Sequence, residues 1–120
     1  MIVIEVEPIK PERDQEHLDS DELGSALVFD VANIEDVVVQ LVNGEGLSAW
    51  PTSLVVTLQC SLDFSAWSDF PSGAVTYNGF GVKAAVNVSG LSAVRIVVTT
   101  VSSGGHGNVA VRVNGIKTVQ

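Results

Sequence analysis

Two histidines, one cysteine and a short acidic run are the side chains of this chain that could do chemistry. His17 lies in an acidic, proline-bearing stretch and His106 in a glycine-rich turn. A serine nucleophile needs a histidine held by packing and oriented by a carboxylate, and neither setting supplies that rigidity. Zinc needs three or four convergent His or Cys ligands, and the chain has only His17, His106 and Cys60. Asp19-Ser20-Asp21-Glu22 could place oxygens around calcium. It lacks the glycine and the distant bidentate glutamate of a dedicated calcium loop, so it reads as solvated acids. Gly44-Glu45-Gly46 and Gly79-Phe80-Gly81 precede no helical pattern and do not read as nucleotide-binding loops. Asn87-Val88-Ser89 matches the glycosylation sequon, but no secretory signal accompanies it. The expectation is a non-enzyme without catalytic, cofactor or metal residues.

Cys60 alternates with aliphatic residues, which predicts a core thiol behaving as a small hydrophobe. Trp50, Phe64, Trp67, Phe70, Tyr77 and Phe80 fall within residues 50–80, largely between apolar stretches. Such aromatics can build a sugar-stacking platform or a protein contact. They can equally close the end of a core, the role expected of Trp67. Trp50, which precedes Pro51, is expected to be the more exposed of the two tryptophans.

The elements that would position these side chains are strands. In residues 53–62, Leu54, Val56, Leu58, Cys60 and Leu62 alternate with Val55, Thr57, Gln59 and Ser61. Period-two alternation marks a strand with one face on a core. Val94, Ile96 and Val98 alternate with Arg95, Val97 and Thr99; Val109, Val111 and Val113 alternate with Ala110, Arg112 and Asn114. Asn43-Gly44, Asn78-Gly79 and Asn114-Gly115 carry the signature of tight turns, as do Ser89-Gly90 and Gly104-Gly105. Between these marks the pattern predicts strands over 1–7, 25–32, 36–42, 53–62, 74–78, 81–88, 93–101 and 107–113, with 115–119 as a tail strand. About eight strands rich in β-branched residues predict an all-β fold: an antiparallel β-sandwich, jelly-roll in preference to immunoglobulin-like.

A chain of 120 residues is long enough to bury a core without disulfides. A lone cysteine suits folding in the cytosol, and no apolar run approaches the ~18 residues that span a bilayer. Charge is uneven. Twelve of the fourteen acids lie in residues 1–45, leaving the remainder slightly basic. An acidic domain repels phosphate backbones, so the expectation excludes nucleic acid and membrane and favours a protein partner.

Residues 8–23 break the strand grammar, being polar and without alternation. They form either a long surface loop or a linker that lets strand 1–7 pair elsewhere. The sequence therefore divides into an N-terminal strand plus acidic loop or arm, residues 1–24, and a β-sandwich domain, residues 25–120. Ile2, Ile4 and Val6 share one face of the first strand, and an unpaired strand is a template for augmentation. Together with Trp50, Tyr77 and Phe80 they form the candidate interface.

The runs LVVTLQCSLDFSAWSDF, GAVTYNGFG and LSAVRIVVTTVSSGGHGNVAVRV resemble small β-sandwich proteins of tailed-phage virions, such as capsid decoration proteins. The Ser-x-Asp-x-x-x-Trp turn, Ser61 to Trp67, also resembles that of discoidin-like and galactose-binding-like jelly rolls, with Phe64 where those carry glycine. The resemblance implies a virion structural protein made in the host cytoplasm. Its partner would be the major capsid protein or another virion protein, and it would form a homo-oligomer. The alternative expectation is a carbohydrate-binding module that stacks a glycan on Trp50, Tyr77 or Phe80. A domain clipped from a larger adhesin is a remoter one.

Overall fold

The computed structural model describes residues 3–12, 17–47, 49–101 and 107–119. The described chain is all-β, with ten strands: β1 (Val3–Ile9), β2 (His17–Asp19), β3 (Ala26–Asp30), β4 (Asp36–Asn43), β5 (Val55–Ser61), β6 (Val75–Tyr77), β7 (Gly81–Val82), β8 (Val86–Asn87), β9 (Ala93–Thr100) and β10 (Asn108–Val119). One sheet runs β1-β10-β4-β7, with β2 also on β10 and β8 also on β4; the other runs β3-β9-β5-β6. Every strand pairing is antiparallel. Two such sheets packed on a shared core make the expected sandwich.

Alternation places the core. Val37, Val39 and Leu41 of β4 and Val109, Val111 and Val113 of β10 meet Leu54, Val56, Leu58, Cys60, Val94, Ile96 and Val98 from the other sheet. Burying each aliphatic side chain contributes about 1.5–3 kcal/mol. Leu62 departs from the pattern and is exposed, because β5 ends at Ser61 and the turn begins there. Thr57, on the outward face of β5, is buried and shares a 2.9 Å hydrogen bond with Thr99.

The turn signals divide into those that turn and those that do not. Asn114-Gly115 is no turn, since β10 runs straight through it, paired to β1 on one side and β4 on the other. A Cβ on Gly115 would stand 2.7 Å from Ile9 Cδ1 and 3.1 Å from Ile34 Cδ1. The glycine is therefore a landing place for two isoleucines. Asn43-Gly44 ends β4 without closing a hairpin; Asn108 Oδ1 accepts the Glu45 N–H at 2.8 Å, and Gly44 N–H donates to the Asn108 carbonyl. Asn78-Gly79 marks the crossing from β6 in one sheet to β7 in the other. The expected strand 81–88 is two short strands on β4. Gly104-Gly105 and His106 lie outside the described residues.

The acidic segment contributes β2, which alternation did not reveal. Leu18 is fully buried, Ser20 Oγ donates to the Gly107 carbonyl at 2.9 Å, and Glu12 N–H donates to the Val28 carbonyl at 2.7 Å. Residues on both sides of the undescribed stretch 13–16 are thus tied to the sandwich.

Candidate functional site at the N-terminal edge strand

Of the six candidate interface residues, Ile2 lies outside the described residues and the other five fall in three environments. Ile4 and Val6 stand on β1, 67% and 60% exposed. Trp50 and Phe80 pack edge to face, with centroids 5.2 Å apart at 83°, and both lean on the core. Trp50 Nε1 donates to the Leu54 carbonyl at 3.0 Å. Tyr77 is a correction: it is 2% exposed, and burial pushes its hydroxyl pKa up to about 12. The Lys83 ammonium lies 5.0 Å from the Tyr77 ring centroid. These three aromatics close the side of the sandwich near β6 and β7, and their faces do not align into one flat stacking surface.

Trp67 lies on the outer face of the four-stranded sheet, 5.0 Å from the Arg95 guanidinium, and does not cap the core as expected. The preceding turn is locked by Asp63, whose Oδ1 accepts from Ser65 N–H and Ala66 N–H at 2.9 Å and from Ser61 Oγ at 3.0 Å. The Ala66 and Ser65 amides, then the Ser61 hydroxyl, hold this carboxyl below its usual pKa. Phe64 adopts φ 62°, the left-handed region that glycine enters most readily. The phenylalanine thus keeps the backbone form that a glycine would favour.

Cys60 is buried, and its Sγ faces the Ser68 and Asp69 carbonyls at 3.5 and 3.8 Å. Burial first, and the Asp69 charge second, push its thiol pKa up, the reverse of what a nucleophile needs. Glu22 is raised by its hydrogen bond to Asp19, by that carboxylate's charge, by desolvation and by the charge of Asp21. Among the described residues no group of three or more His, Cys, Asp or Glu could hold a metal ion.

What remains is β1, whose residues are exposed from Val3 to Pro8. It pairs with β10 from Val3↔Val119 to Ile9↔Val113, whereas β4 leaves β10 at Ile116↔Asp36. The ends of β1 and β10 therefore run on as a two-stranded ribbon, and the molecule measures 51 × 27 × 27 Å. Ile4 and Val6 face one side of it beside Thr118 and Ile116; Glu5 faces the other beside Lys117. Lys117 Nζ stands 3.9 Å from Glu5 and 3.5 Å from Glu7.

The backbone orientation follows from Glu35. Its N–H donates to the Ile116 carbonyl at 2.9 Å, and its carboxylate accepts the Thr118 N–H at 3.1 Å and the Thr118 hydroxyl at 3.0 Å. Even-numbered backbone groups at this end of β10 thus turn toward β4, and odd-numbered ones toward β1. In an antiparallel ladder they engage Val3, Glu5, Glu7 and Ile9. Ile4 and Val6 consequently direct N–H and C=O to the edge of the sheet that no described strand pairs, its open edge. Pro8 shares their orientation but has no N–H, and so ends the open stretch.

No protein-family model matches the chain, and no curated protein matches it in sequence. Among solved structures it is similar to the SPBc2 prophage-derived protein YomS, with TM-score 0.62, 13% sequence identity, and 98% of this chain and 96% of that chain covered. At that identity the likeness is one of fold, over nearly the whole of both chains.

Proposed function

We propose that this chain is a non-enzymatic structural protein of a phage virion, a capsid decoration protein or another small head or tail component. The observation that carries the reading is β1: a seven-residue edge strand, exposed along almost its whole length and bearing Val3, Ile4 and Val6 in solvent. Solitary soluble domains blunt such edges, so an apolar one is best explained by a partner that covers it. The fold likeness to a prophage-derived protein supports the same reading, as does the inert setting of Cys60. Small proteins of this kind gain avidity by repeating one modest contact over a symmetric shell.

Quantitative mass spectrometry of purified particles tests the proposal. The chain should be present in a fixed ratio to the major capsid or tail protein, and purified chain should co-sediment with particles that lack it. Absence from particles, with failure to co-sediment, would sink it.

A further inference from the structure

We propose that the open edge of β1 takes up an extended segment of another protein whose central residues read apolar–basic–apolar, the basic residue lying opposite Glu5. This deepens the virion reading by naming the chemistry of what β1 binds. Across β1, β10 presents Ile116, Lys117 and Thr118 to Val6, Glu5 and Ile4. That is a basic residue against the glutamate, with Ile116 and Thr118 on the apolar side.

The open edge offers the same side chains in the complementary backbone phase. Ile4 and Val6 supply two N–H and two C=O groups, enough for two doubly bonded pairs with an antiparallel newcomer. Glu5 then sits in the closer, non-bonded pairing position, where opposite charges attract most directly. Among the described residues Lys117 is the one cation placed between Glu5 and Glu7, so the pair retains a net negative charge for an incoming lysine or arginine. The segment is short because Pro8 ends it.

A second copy of β1 fits poorly. A two-fold antiparallel pairing keeps even residues opposite even and odd opposite odd: centred on Glu5 or Val6 it sets Glu5 against Glu5 or Glu7, and centred on Ile4 it sets Glu5 against Val3 and leaves it without an opposing cation. Like charges directly opposite destabilise a strand pair.

Fluorescence anisotropy of the full chain with labelled peptides is the test, and it requires no virion. One peptide alternates valine and lysine; its control alternates valine and glutamate. The lysine peptide should bind at least about tenfold more tightly, the swing expected when attractive cross-strand pairs become repulsive, and binding should weaken with salt. Glu5→Lys should reverse the preference. Ile4→Pro, which removes an outward N–H that β10 does not use, should abolish binding while leaving the melting temperature unchanged. Equal binding of both peptides, no binding at millimolar concentration, or binding that survives Ile4→Pro would overturn the inference. So would sedimentation showing a dimer that Ile4→Pro dissolves. If the peptides fail while the chain still assembles onto particles, the virion reading stands and the edge is not its route.

Discussion

The Arg95 guanidinium lies 5.0 Å from the centroid of the Trp67 ring, and Arg95 Nε donates to Gln59 Oε1 at 2.8 Å. Trp67 reaches this position because the Asp63-locked turn after β5 brings the chain back alongside β5, where Cys60 and Ser68 exchange backbone hydrogen bonds of 2.9 and 3.0 Å in an antiparallel bridge. The Ser-x-Asp-x-x-x-Trp run is therefore a device for covering an arginine.

Arg95→Gln should cost about 1 kcal/mol, the scale of a partly exposed cation–π contact. A double-mutant cycle with Trp67→Ala, read by chemical denaturation, should recover a coupling of about 0.5–1 kcal/mol. Arg112 is exposed, with its guanidinium against the Val111 carbonyl; Arg112→Gln should fall within about 0.5 kcal/mol of the parent. Zero coupling in the first cycle would show that Trp67 is only a lid.

Gly115→Val should destabilise by about 1–3 kcal/mol, the usual cost of overpacking, although valine is the better strand former. Ile9 and Ile34 occupy the space the new side chain needs. Thermal denaturation would show a lowered midpoint. A raised midpoint would mean that those isoleucines yield freely.

Leu58→Asp should prevent folding, and Leu58→Ala should cost about 2–5 kcal/mol. Leu58 is 1% exposed, in the middle of β5 between Ile96 and Val75. An unpaired carboxylate there has no partner. Circular dichroism and a melting curve decide; a soluble Leu58→Asp protein with an unchanged melt would refute the packing described.

Acid should act through two carboxyls in opposite senses. Asp63 has a folded pKa below its unfolded value near 3.8. The stability it contributes is present above 3.8 and is lost as pH falls through the lower folded value. Glu22 has a folded pKa above 4.5, so its contribution is present below 4.5 and is lost as pH rises through the folded value. Melting temperature against pH should therefore rise toward 3.8 and decline above 4.5 from these two groups. Asp63→Asn should flatten the first limb, and Glu22→Gln the second. Unaltered limbs in both variants would contradict these assignments.

The inward faces of β5, β9 and β10 were legible in the sequence, because facing in a strand is a local property of alternation. Leu54, Val56, Leu58 and Cys60, and likewise Val94, Ile96 and Val98, are buried as their spacing predicts. The apolar side of β1 was legible on the same ground in Ile4 and Val6. Other features depended on neighbours distant in the chain. Leu18 reads as part of a polar loop until β10 offers Val109 as its partner. Tyr77 reads as a surface aromatic until the second sheet encloses it. Asn114-Gly115 reads as a turn, yet Asn-Gly only permits the positive φ angles of one and does not impose them. With β1 and β4 hydrogen-bonded on both sides, and Ile9 and Ile34 filling the space above Gly115, the extended form satisfies more backbone groups than a turn would.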